Sequence, residues 1–141
     1  MAVISYLGIN GHAGFVMSNA CARFHDEGHD ITLHCADSHV LDDELERIPE
    51  FLEQVKKSDI LFVNVHGDVT GFRHFENLLF TVKTSGVPML LFGCEDAVVF
   101  QYRSYFKWSD EDYNLLRTFE TIGGDDNHYA TLCWVLRNVS G

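Results

Sequence analysis

The chain has 141 residues, 46% of them hydrophobic, with 21 acidic against 10 basic side chains and a formal net charge of −11. That length and apolar content fit one folded domain and exclude both global disorder and a multidomain enzyme. The acidic excess repels nucleic-acid phosphates and anionic membranes, and no run approaches the roughly 18 apolar residues of a membrane span, so neither is an expected partner.

Val3-Ile4-Ser5-Tyr6-Leu7 opens a predicted buried strand over residues 2–9. A glycine-bearing turn over 8–14 follows, then a helix over 15–27 with Phe15, Ala20, Cys21 and Phe24 inward and Gly28 as its stop. Residues 30–36 read as a second strand. Leu45, Ile48, Leu52 and Val55 recur at helical spacing within 42–57, where Pro49 either bends the helix or marks its true start. Lys56-Lys57 suits the C-terminal end of that helix.

The strand over 60–65 is the sharpest in the chain. A helix over 72–84 follows, with Phe75, Leu78, Leu79 and Val82 inward, and Gly86-Val87-Pro88 turns into a fourth strand, Met89-Leu90-Leu91-Phe92. Val98-Val99-Phe100 fits either a short fifth strand or the start of a helix. Ser109 caps a helix over 110–119, with Asp112 completing an approximate capping box, and a last amphipathic helix covers 127–139. The alternation of strand and helix predicts an α/β fold: an open, mostly parallel sheet of four or five strands with helices on both faces.

In such sheets ligands bind outside the carboxyl ends of the strands. The apolar run Ile60-Leu61-Phe62-Val63-Asn64-Val65 ends abruptly in His66-Gly67-Asp68, which puts polar chemistry at such an end. His66 is a candidate metal ligand or proton acceptor near neutral pH, and Asp68 a second metal ligand, an orienting carboxylate or a helix cap. Asn10 and His12, after the first strand, are expected to reach the same crevice. Cys94 and Glu95, after the fourth, face the same edge, with Cys94 expected mainly as a structural thiol. The loop Gly8-Ile9-Asn10-Gly11-His12-Ala13-Gly14 lacks GxGxxG spacing, and no P-loop, HExxH or GxSxG motif occurs.

Cys21, Cys35, Cys94 and Cys133 are widely spaced and form no CxxC pair, so a reducing, cytoplasmic setting is expected, with each thiol a small hydrophobe. His25, His29 and His34 are expected as surface or capping residues. Gly123-Gly124 ends one helix, and Asp125 or Asp126 can cap the next. Tyr102, Tyr105, Phe106 and Trp108 form either a lid over a flat ring or part of the core.

The strand into Val65-His66-Gly67-Asp68, the Gly86-Val87-Pro88 turn, the tyrosine-rich passage and Gly123-Gly124-Asp125-Asp126-Asn127 together resemble the amino-terminal region of the CobN/magnesium-chelatase large-subunit family. Family members often carry His-Gly-Gly where this chain has His66-Gly67-Asp68. The resemblance covers most of the chain. It implies a flavodoxin-like or Rossmann-like domain, an amino-terminal fragment of a longer cytoplasmic protein that inserts cobalt or magnesium into a tetrapyrrole. It implies as partners the remainder of the large subunit and ATPase subunits that consume ATP, with metal and tetrapyrrole as substrates and no stably bound cofactor. On this reading Asn10, His12, His66, Asp68 and Glu95 are the ligand-binding candidates, and His66 and Asp68 the metal candidates. The alternative is a non-enzymatic flavodoxin-like module that binds a small molecule or a partner.

Overall fold

The computed structural model describes residues 1–11 and 13–139, and the side chains of these apart from 13–16. His12 and the side chain of Phe15 therefore lie outside the described residues. The strands β1 (Ala2–Ile9), β2 (Ile31–Asp37), β3 (Ile60–Val65) and β4 (Met89–Phe92) form one parallel sheet in the order β2-β1-β3-β4. From β1 the chain steps outward to β2, then returns across β1 to build β3 and β4. The order reverses between β1 and β3, as in flavodoxin-like and Rossmann-like sheets.

The helices are α1 (Ala13–Asp26), α2 (Ser38–Asp43), α3 (Ile48–Lys56), α4 (Phe75–Ser85), α5 (Asp96–Gln101), α6 (Asp110–Ile122) and α7 (Asp125–Asn138). Both sheet faces are covered. On one, Leu7, Ile9, Leu61, Val63, Val65 and Leu91 meet Ile48, Phe51 and Val55 of α3 and Phe75, Leu78 and Val82 of α4. On the other, Ile4, Tyr6, Phe62 and Phe92 meet Phe24 of α1, Tyr113 and Leu116 of α6, and Leu132, Trp134 and Val135 of α7. This two-sided burial explains why the strands read as continuous apolar runs rather than alternating ones.

The expected helix over 42–57 is three pieces. Asp37 caps α2 by accepting the His39 amide at 2.8 Å, the chain breaks at Glu44 (φ −117°, ψ 73°), and a 3-10 turn Leu45–Arg47 leads into α3. Pro49 lies in the first turn of α3, where no intrahelical amide is needed, and so marks the true start. The expected helix over 72–84 begins at Phe75, because the 3-10 turn Val69–Gly71 occupies the stretch before it. Val98, Val99 and Phe100 lie inside α5, so the described residues hold no fifth strand. Ser109 caps α6 as expected, its Oγ accepting the Asp112 amide at 3.2 Å. The last helix starts two residues before the expected Asn127, with Gly124 (φ 84°) at the cap position and Asp125 and Asp126 in the first turn, where they favour the helix dipole without capping it.

The tyrosine-rich passage packs inward. Tyr102 meets Phe75 edge to face at 5.5 Å, Phe106 packs at a tilt against Trp134 at 5.9 Å, and Trp108 meets Trp134 edge to face at 5.2 Å. That is core packing rather than a lid. His25, His29 and His34 are exposed, with His29 resting against Phe24. All four cysteines are free thiols; Cys21 is buried and the other three are partly so.

Candidate functional site

The loops after β1, β3 and β4 meet along the carboxyl edge of the sheet, and each is shaped by a residue at positive φ. Asn10 adopts φ 59°, a left-handed conformation that Asn tolerates better than most side chains. Gly67 (φ 92°) turns the chain after His66, and Gly93 (φ 95°) turns it after Phe92. Gly93 is also a close approach. A Cβ there would stand 2.9 Å from the Val65 carbonyl oxygen and 2.7 Å from Asn64 Oδ1, so only glycine fits without a shift.

The expectation that Asn10, His66, Asp68 and Glu95 share one crevice divides into two places. Asp68 and Glu95 do come together: with Gly67, Gly93, Cys94 and Val98 they line an open cleft of about 550 Å³ between the β3 and β4 loops. Asn10 and His66 meet at the neighbouring junction of the β1 and β3 loops. Asn10 Nδ2 donates to the His66 carbonyl at 3.2 Å, the Asn10 amide donates to Ser38 Oγ at 3.1 Å, and a Cβ on Gly71 would collide with the Asn10 side chain. Asn10 therefore fastens two loops together, its side-chain nitrogen engaged with the His66 carbonyl. The His66 ring lies over Gly11, where an added Cβ would come within 2.6 Å of its Cδ2.

Asp68 does cap the turn that follows it, since Oδ1 accepts the Val69 amide at 2.6 Å. One carboxylate oxygen is thus committed locally and the other remains for the cleft. Among the described residues no hydrogen bond joins His66 to Asp68, and no group of three His, Cys, Asp or Glu side chains is placed to hold a metal ion. The lining is acidic and half-open, with no basic side chain. It favours cations and hydrogen-bond donors over phosphates. Burial, reinforced by the Asp68 and Glu95 charges, pushes the Cys94 thiol up, so it stays protonated at neutral pH and is a poor nucleophile.

A second cleft, of about 350 Å³, lies on the flank of the sheet between β2 and α3, lined by Ser5, His34, Phe51 and Gln54 among others. It reaches the carboxyl end of β2 at Asp37 and shares no lining residue with the cleft between the β3 and β4 loops. The sequence reading missed a buried polar string. Asn64 Nδ2 donates to Tyr6 Oη at 3.4 Å, Tyr6 Oη donates to Glu120 Oε2 at 3.0 Å, and Thr131 Oγ1 donates to Glu120 Oε1 at 3.2 Å. Burial, before any other cause, pushes the Glu120 carboxyl up to about 7 and raises the Tyr6 phenol. Two signals were present in the sequence: Asn64 interrupts an apolar strand, and Glu120 shares the helical phase of Tyr113 and Leu116.

No helix among the described residues is long and apolar enough to cross a membrane. No family model matches the chain, and no curated protein matches it. A solved structure does: the catalytic subunit of cobaltochelatase from Mycobacterium tuberculosis, with a TM-score of 0.66 and 15% sequence identity, over 98% of this chain and 10% of that one. The chain thus spans about a tenth of the solved protein's length, and at that identity the two share a fold.

Proposed function

We propose that this chain is the amino-terminal α/β domain of a cobalt- or magnesium-chelatase-like large subunit, where it docks against the body of the protein beside the place at which metal and tetrapyrrole meet. The observation that carries the reading is the likeness of fold, over 98% of the chain, to a stretch of a cobaltochelatase catalytic subunit. The residues named from the sequence take roles to match. Insertion of a divalent metal releases two protons from ring nitrogens. The exposed carboxylates of Asp68 and Glu95 can steer a cation as it sheds water, and His66 can take up a proton, a role His12 was also named for from the sequence. Metal and ring are substrates of the whole protein, and ATP is consumed by its partner subunits. The domain alone is not the catalyst.

Charge favours docking over ring binding by this domain. Most tetrapyrrole intermediates carry carboxylates, and they meet a chain of net charge −11 with an acid-lined cleft. The test is an absorption titration of the purified chain against a carboxylated free-base porphyrin. Docking predicts no saturable shift of the Soret band. A saturable shift weakened by His66→Ala moves the domain's role from docking to ring contact. Flavin absorption in the purified protein, with no response to porphyrin, overturns the chelatase reading in favour of a flavodoxin-like binding module.

A further inference from the structure

The sheet has two edges, and the fold treats them differently. β4 is closed: its residues are 2% exposed or less, and Tyr113 Oη of α6 lies 3.5 Å from the Leu91 carbonyl oxygen. β2 is open: His34 is exposed, and Thr32, Leu33, Cys35 and Ala36 are half-buried. The Ala2 amide donates to the Asp30 carbonyl at 3.1 Å. Asp30, Thr32, His34 and Ala36 therefore turn their main-chain groups toward β1, and Leu33 and Cys35, the alternate residues, turn theirs outward. Among the described residues no hydrogen bond is made to the main-chain N–H or C=O of Leu33 or Cys35 on that side.

Such an edge is a template for another strand, and proteins that leave one bare usually blunt it with lysine, proline or a bulge. None of these is present on β2. Residues 31–36 contain no Pro, Gly, Lys or Arg, and the register with β1 runs unbroken from Ile31 to Asp37, which leaves no bulge.

A place for a side chain lies beside this edge. The cleft of about 350 Å³ between β2 and α3 has Ala36, Leu41 and Phe51 in its walls and Val40, 41% exposed, at its side. Ser5 Oγ, also in the lining, is already paired with Ser58 Oγ at 2.6 Å, so an apolar side chain leaves no polar group stranded there. The charge around the cleft is negative. Asp37 and Glu50 line it, and Arg47, its one Lys or Arg residue, is engaged with Glu44 at 2.7 Å.

We infer that β2 is a docking edge for an extended, basic segment of a partner protein, which adds to the sheet as a fifth strand. Main-chain bonds to Leu33 and Cys35 hold it, an apolar side chain enters the cleft, and lysine or arginine on either side of that residue meets Asp37 and Glu50. Charge decides the occupant: two copies of a chain of net charge −11 repel at this acidic edge, and a basic segment is drawn to it. The inference does not rest on the chelatase reading. A porphyrin titration reports on ring binding, and the experiment below reports on the edge of β2.

The probe is the peptide acetyl-Thr-Lys-Thr-Leu-Thr-Lys-Thr-amide, which puts Lys, Leu and Lys on one face of a strand. In the free chain the Leu33 and Cys35 amides should exchange faster than those of Thr32 and His34. Saturating peptide should slow Leu33 and Cys35 by at least about tenfold. Replacing both lysines of the peptide by glutamate should weaken binding roughly tenfold at low salt, with the gap closing as salt is raised. Cys35→Pro removes an outward N–H that the fold does not use and should abolish binding. Should that variant fail to fold, the peptide alone decides. Methylating its amides in two alternate sets should abolish binding for one set and spare it for the other. Equal effects of the two sets overturn strand pairing, as does peptide binding that leaves Leu33 and Cys35 unprotected, or no binding at all. Protection that rises with protein concentration in the absence of peptide assigns the edge to a second copy and overturns the basic partner.

Discussion

On one face of the sheet Leu7, Leu61, Val63, Val65 and Leu91 meet α3 and α4 through aliphatic side chains, while on the other Tyr6, Phe62 and Phe92 meet α1, α6 and α7 through rings and directed hydrogen bonds. The difference follows connectivity. α3 and α4 each bridge strands close in sequence, so short crossovers fix where they lie and non-directional contact is enough. The α6–α7 hairpin comes after the last strand, and no crossover fixes its register. Directional contacts serve instead. Tyr113 Oη donates to the Val99 carbonyl at 3.2 Å, Trp134 Nε1 donates to Asp112 Oδ1 at 3.0 Å, and Tyr6 reaches Glu120. Polar atoms in a core specify geometry because leaving one unpaired is costly.

Neighbouring residues of β3 offer the strongest test, because Leu61 and Phe62 are fully buried on opposite faces. Phe62→Ala should cost about 4 kcal/mol and Leu61→Ala about 3 kcal/mol in urea unfolding. The locations should differ more than the totals. Native-state hydrogen exchange should show α6 and α7 opening first in Phe62→Ala, and α3 and α4 opening first in Leu61→Ala. If both variants open the same helices, the faces are one cooperative unit and the contrast is only one of composition.

Gly93 joins both faces at the carboxyl edge. Gly93→Ala places a Cβ at φ 95° against the Val65 carbonyl oxygen and Asn64 Oδ1, and should cost about 2 kcal/mol. Chemical-shift changes should reach Asn64 and Tyr6 as well as the cleft. Changes confined to the β3 and β4 loops would mean that the polar string does not connect the cleft to the hairpin.

The aliphatic side was legible in the sequence. The four strands, their parallel pairing and the inward faces of α3 and α4 follow from periodicity and turn residues. Helix starts were less so: Glu44 and the 3-10 turns after it and after Asp68 break patterns that look continuous, because a hydrophobic period does not register a local change of backbone angle. The strand-end residues were also legible, since chain direction alone puts Asn10, His66, Asp68 and Glu95 at one edge. Their division into two junctions was not, because it depends on Asn10 being tied to the His66 carbonyl. The Tyr6–Glu120 contact joins residues 114 apart, and a pattern read within a window of a few turns cannot pair them.

Tyr6→Phe removes one hydroxyl from that pairing and nothing from the ring contacts with Phe62 and Phe92 at 6.0 Å. It should cost about 1–2 kcal/mol, because Asn64 Nδ2 and Glu120 Oε2 both lose a partner. The same hydroxyl deletion on the aliphatic face has no counterpart, so a negligible cost would show that rings alone set the hairpin's register.

Asp68→Asn should have the smallest effect on stability, within about 0.5 kcal/mol, because the side chain is exposed and an Asn oxygen can still accept the Val69 amide. Both sheet faces lie beneath this residue and neither rests on it. Removing its charge should leave the melting curve in place and, on the proposed chelatase reading, lower the association of divalent cobalt with the chain, read by equilibrium dialysis at low salt. A large loss of stability would mean that Asp68 holds the β3 loop in shape, and that the acidic lining belongs to the fold. Unchanged stability with weaker cobalt retention would separate the two, leaving the faces to make the scaffold and the loops to carry the charge.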